Sequence, residues 1–173
     1  IAGISVADLD AATGNILSRL QVVNGVLDVT LSGAATISAG ANGTNDLTVQ
    51  GIVADVNATL ASLRYTGNTD VVGIAADTLT VTINDQGNTG SGGALQDVDN
   101  IQIDITAVND APVVSSPGAA LNATEQTALV IQGTGFAVAD VDAAGGGAAA
   151  TLTVGEGTLT VVPGNSGAMI SSG

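Results

Sequence analysis

The chain has 173 residues, with 2 basic and 16 acidic side chains, no histidine, no cysteine and a net charge of −14. Only Arg19 and Arg64 could meet phosphates, which argues against nucleic acid and against an anionic membrane surface as partners. Without cysteine there is no disulfide and no thiolate chemistry, and without histidine or lysine no Ser/His/Asp or Cys/His arrangement can form, so no enzyme is expected.

Charged residues make up only 10% of the chain against 45% hydrophobic residues, a balance that favours a folded all-β chain over disorder. The run Ile4–Ser5–Val6 reads as part of a strand, so the chain looks like a fragment cut inside one. Alternation over residues 22–31 surrounds Asn24-Gly25, which reads either as a turn or as a tight hairpin tip. Clean alternation returns at 46–50, 78–83 and 101–105, each with one apolar face. Between them, Val56, Leu60 and Leu63 stand at helical spacing, with Asp55 placed as N-cap of a helix over 55–63. Glycine-rich stretches at 86–93 and 143–149 read as loops, and a second hairpin is expected from 151–154 and 158–162 across Gly155-Glu156-Gly157. Many short strands at this spacing predict a two-sheet sandwich.

The strongest internal signal is a repeat. Residues 4–11 (ISVADLDA) recur as 136–143 (FAVADVDA), and residues 20–29 recur as 152–161 with the same offset of 132. One full period and about a third of the next are therefore present. Residues 1–113 read as a domain lacking its opening strands, closed by the linker 107–113, and residues 114–173 as the opening of the next repeat. Pro112 restricts Asp110-Ala111 and should make the join stiff. Strands near 119–138 correspond to those that residues 1–113 lack: either copies of the chain complete each other by strand donation, or the out-of-phase ends reflect a proteolytic cut or the way the fragment was defined.

Four segments carry a family likeness: Val-x-Asp-x-Asp at 6–10 and 138–142, residues 55–68, residues 77–85, and the closing 108–113 (VNDAPV). In their order and spacing the chain resembles the bacterial cadherin-like tandem repeats of large type I-secreted (RTX-type) surface adhesins. That resemblance implies an all-β immunoglobulin/cadherin-like Greek-key β-sandwich in tandem, Ca²⁺ at the junctions, secretion or display on the bacterial surface, and a structural, extender role in adhesion or biofilm attachment. Neighbouring repeats of the same protein would be its partners, with surface glycans as a further class. The rival reading is an accessory linker or weak carbohydrate-binding module of a secreted polysaccharide-active enzyme, although Tyr65 and Phe136 are the only aromatic residues available to stack on sugars.

Fourteen of the sixteen acids are Asp, whose short side chain suits oxygen-ligand loops for Ca²⁺; the plainer alternative is a solvated acidic surface. An Asp-x-Asp on extended backbone sends both carboxylates to one side. Asp140 and Asp142 form such a clamp and, with Asn109, Asp110 and Glu125, the expected junction site. Asp8 and Asp10 are the same clamp one period earlier. Asp97 and Asp99 form a third pair, either a site within the domain or a polar turn before the strand at 101. Asp85 reads as a turn residue and Asp104 as a solvent-facing strand residue.

Overall fold

Alternating apolar side chains, two residues apart, place the strands. In the computed structural model, which describes residues 3–11, 13–88, 91–143, 146–163 and 167–171, the elements are β1 (Ile16–Gln21), β2 (Gly25–Asp28), β3 (Thr36–Gly40), β4 (Asp46–Gly51), α1 (Val53–Leu60), β5 (Arg64–Gly67), β6 (Gly73–Asn84), β7 (Gln96–Ile105), β8 (Val113–Ser115) and β9 (Ala137–Ala139). The chain divides into two compact units, Ile1–Asn109 and Asp110–Gly173.

In the first unit β3, β4, β1, β6 and β7 form, in that order, an antiparallel sheet of five strands. Ile16 and Leu20 of β1, Leu47 and Val49 of β4, and Leu79 and Val81 of β6 share its buried face. Against that face lie α1, through Val56, Thr59 and Leu60, and the two-stranded sheet of β2 and β5, through Leu27. Burying such side chains contributes about 1.5–3 kcal/mol each, so this layer supplies most of the unit's cohesion.

This architecture corrects the expected all-β sandwich. Among the described residues the protein is mixed α/β, with a helix and three separate sheets of five, two and two strands, and no closed second sheet. The reason lies in residues 53–60: the apolar spacing there is helical, and α1 occupies the layer that further strands would need in order to close a Greek-key sandwich. The helix starts at Val53 with Ile52 as its N-cap, and no side chain caps it. Asp55 sits in the first turn and accepts the Ala34 N–H at 2.9 Å instead.

Asn24-Gly25 is not a hairpin tip. β1 pairs with β4 and β6 whereas β2 pairs with β5, so the dipeptide carries the chain from one sheet to the other. Gly25 is required there, because a Cβ would run into the Tyr65 ring and the Thr66 carbonyl. Two asparagines act as surrogate strand neighbours. The Asn42 amide accepts the Val29 N–H and donates to its carbonyl, both at 2.9 Å. Asn57, on α1, does the same for Val6 at 2.8 and 2.9 Å.

The second unit is sparser. β8 and β9 pair antiparallel, Val114 opposite Val138, and all six residues are exposed. The hairpin expected at 151–154 and 158–162 is not formed, and neither is the strand expected at 4–6. Of the glycine-rich loops, residues 89–90 and 144–145 lie outside the described residues.

One polar atom in the core stands out. Ser18 lies on the buried face of β1, between Ile16 and Leu20, and its Oγ has no hydrogen-bond partner among the described residues. A buried hydroxyl left unmatched destabilises by about 1–3 kcal/mol. Ser18→Ala is therefore expected to raise stability by about 1 kcal/mol in urea unfolding; a loss of stability would show that the hydroxyl is satisfied.

Candidate functional site

The polar chemistry of the first unit falls into three places: a buried carboxylate, a groove, and an aspartate turn that recurs in the second unit.

The buried carboxylate is Asp77, on β6 and 4% exposed. Its Oδ1 accepts the N–H groups of Val23 (3.0 Å) and Thr78 (2.7 Å). Its Oδ2 accepts the Asn24 N–H (2.8 Å) and the Tyr65 hydroxyl (2.9 Å). Burial pushes the carboxyl up, but these donors together hold it below its ordinary value. Tyr65 is pushed up to about 12 by burial and by the neighbouring carboxylate. The amide of Asn24 donates to the Ala76 carbonyl at 2.7 Å and closes the arrangement. It is a structural node: every lone pair has a partner, and the donors come from the β1–β2 turn, β5 and β6. Sequence inspection missed it, because Asp77 reads only as the polar start of an alternating strand.

The groove, of about 580 Å³, runs between residues 3–7 and the β6–β7 pair. Ile4, Val6, Val81, Ile83 and Ile101 supply its large apolar side chains, and Ser5, Asp97, Asp99 and Asn100 its polar lining. Asp97 stands opposite Ile83 and Asp99 opposite Val81, so both carboxylates lie on the face of β7 that turns toward the core, about 7 Å apart along the strand. They belong to a strand beginning at Gln96, not to a turn before residue 101. Beyond them the same face continues with Ile101, Ile103 and Ile105, so the row changes from acidic to apolar midway. β7 forms one margin of the five-stranded sheet.

Asp8 and Asp10 form a local turn in which Asp8 Oδ1 accepts the N–H groups of Asp10 and Ala11, both at 3.1 Å. One period later Asp140 Oδ1 accepts the Asp142 N–H at 3.3 Å, and Asp142 Oδ2 accepts the Asp110 N–H at 2.9 Å. Hydrogen bonding between the two side chains raises one carboxyl and lowers the other in each pair: Asp10 up and Asp8 down, Asp140 up and Asp142 down. The structure thus brings Asp110 to Asp142. Glu125 lies in a turn of its own, and Asn109 belongs to the first unit. Among the described residues no group of three or more acidic side chains is disposed to hold a metal ion. Asp85 is a turn residue, accepting the Gly87 and Leu95 N–H groups at 2.8 and 2.7 Å. Asp104 is exposed on β7 and accepts the Ala75 N–H at 2.7 Å.

Fold and site together define a mixed α/β domain in which a helix and a two-stranded sheet back a five-stranded antiparallel one. The family described as Protein GAMETE EXPRESSED 2 domain matches residues 2–91, more than half of the chain, and the chain belongs to that family. No curated protein and no solved structure matches it. The matched stretch holds β1 to β6 and α1.

This membership corrects the resemblance to cadherin-like repeats of bacterial adhesins. With it fall the calcium-stiffened adhesin extender and the carbohydrate-binding alternative: the family is a different one, and no calcium-coordinating cluster is assembled among the described residues. The shared segments were short polar turns and alternating strands, which many β-rich chains satisfy.

The node predicts a double-sided pH response. A carboxyl with a lowered folded value contributes stability that is complete above its unfolded value and is lost as pH falls through the folded one. A phenol with a raised folded value contributes stability that is complete below about pH 10 and is lost as pH rises toward about 12. Tyr65→Phe is expected to remove the alkaline component and lower stability by about 1–2 kcal/mol. Asp77→Asn is expected to flatten the acid limb and cost about 2–4 kcal/mol. Urea unfolding between pH 3 and pH 11 checks both.

Proposed function

We propose that this chain is a non-catalytic association module that takes an extended polypeptide segment into the groove between residues 3–7 and β7. The observation that carries the reading is the groove itself: a cleft of about 580 Å³, in the size range of ligand sites, walled by a ten-residue strand at the margin of its sheet. A strand at a sheet margin offers alternate N–H and C=O groups to an incoming backbone, while pockets for every second side chain give selectivity. Here the apolar lining would take one set of side chains and the carboxylates Asp97 and Asp99 would favour cationic ones.

The chemistry of the lining supports binding over catalysis. Its polar side chains are Ser5, Asp97, Asp99 and Asn100, and the whole chain holds no histidine, cysteine or lysine to activate a nucleophile. Two exposed carboxylates on one strand face can steer a cation but have no partner to set them as an acid and a base.

A test uses an acetylated ten-residue peptide of alternating valine and lysine, titrated into the whole chain and followed by amide chemical shifts. Shifts confined to residues 3–7 and 96–105 are expected, weakened at least tenfold by Ile101→Glu and by the paired exposed substitutions Asp97→Lys and Asp99→Lys. Shifts scattered elsewhere, or affinity indifferent to both changes, would overturn the reading.

A further inference from the structure

The two copies of the internal repeat differ in one respect that identifies an occupant for the groove. Residues 137–139 form β9 and pair with β8, and one period earlier, 132 residues back, stand residues 5–7. Residues 5–7 carry no strand, although the sequence around them repeats and the Asp-x-Asp turn that follows has the same Oδ1-to-N–H bond in both places. What differs is the β8 neighbour. β9 has one, whereas no described residue pairs with 5–7.

The backbone of that segment is already oriented for such a neighbour. Both peptide groups of Val6 are turned to the Asn57 amide, at 2.8 and 2.9 Å. Along an extended segment successive residues send their N–H and C=O groups to opposite sides, so those of Ser5 and Ala7 face away from α1. Among the described residues no hydrogen bond uses the backbone groups of Ser5 or Ala7. The groove begins on these same residues and is closed opposite by β7.

Resting on the association reading above, we propose that the occupant is the β8 segment, Val113–Ser115, of a second copy of this chain, seated antiparallel on residues 5–7. Transferring the β8–β9 register by 132 residues sets Val113 opposite Ala7, Val114 opposite Val6 and Ser115 opposite Ser5. Val114 then shares the face of Val6, which is buried in the core of the first unit. The donor is released easily, since its present ladder is three residues long and exposed throughout. This places the donor at 113–115, not at 119–138, where the structure has no strand before β9. Exchange of an identical element between copies is a low-cost route to a dimer. Val113–Ser115 brings no cationic side chain to Asp97 and Asp99, and each chain carries −14, so the exchange strengthens with salt.

The chain has no cysteine, so introduced ones report cleanly. Val6 directs its own peptide groups to Asn57, so toward the groove it faces Val114 as a non-hydrogen-bonded pair, whose Cα separation of about 4.5 Å admits a disulfide. Val6→Cys and Val114→Cys forms of the 173-residue chain are mixed in high salt and oxidised, beside an off-register mixture of Val6→Cys with Ala119→Cys. The expected result is a Val6–Val114 cross-linked heterodimer at least fivefold above either homodimer, with none of this excess off register. Ser5→Cys with Ser115→Cys repeats the test away from the core, should the Val6 variant unfold. Heterodimer no more abundant than the homodimers in both pairings overturns the β8 donor. If the valine–lysine peptide still shifts residues 3–7 and 96–105, only the donor is wrong; if it does not, the groove reading falls with it.

Discussion

Asp77 holds the first unit together in a way its apolar core cannot. The five-stranded sheet and the β2–β5 pair share no ladder, so the sheets are joined by side-chain packing and by whatever polar bonds cross between them. The carboxylate on β6 reaches the Val23 and Asn24 amides, where the chain leaves β1 for β2, and the Tyr65 hydroxyl on β5. Hydrophobic contact is non-directional and would tolerate many placements of a short two-stranded sheet. Three of the four bonds to this buried anion come from outside β6 and, with the main-chain bonds between Leu27 and the Gly43-Thr44 connection, narrow that placement; the low dielectric makes any alternative with an unmatched carboxylate expensive.

The same logic explains the asparagines. Segments that cannot find a strand neighbour still carry N–H and C=O groups that must be matched when buried. Asn42 and Asn57 present one acceptor and one donor at the spacing of a peptide unit, and so hold Val29 and Val6 as a strand would. For Val6 this has a directional result, because one side of the segment is satisfied by α1 while the other turns to the groove. The acidic half of β7's inner face lies at the same place, where apolar lining gives way to Asp97 and Asp99. Inward-facing charge at a sheet margin also discourages indiscriminate edge pairing.

Much of the strand content was legible. Residues 46–50 and 78–83 alternate because one face of each is buried, and both lie within strands of the structure. The helix was legible from Val56 and Leu60, although its start was displaced toward Val53. The assembly of these pieces was not. Asn24-Gly25 looks like a hairpin tip by local turn chemistry, yet β1 and β2 go to different sheets, since pairing depends on which strands lie across the core. Likewise Thr151–Val154 alternates as a strand would, but alternation stabilises a strand only where a neighbour and a core face are supplied.

Composition alone determined that these 173 residues hold no disulfide and no thiolate chemistry. Periodicity determined the repeat and its offset of 132, which needs no structure to be seen. Which acids act together was decided only by the tertiary structure. Asp77, unmarked among fourteen aspartates, became the buried node because β5, β6 and the β1–β2 turn converge on it. Asp97 and Asp99 became groove residues because β7 pairs with β6 in one register. The Asp-x-Asp motif is local and is read directly from the sequence. The separation in space of residues 53 or 54 positions apart, as between Asp77 and the Asn24 and Val23 amides, is written in no local pattern.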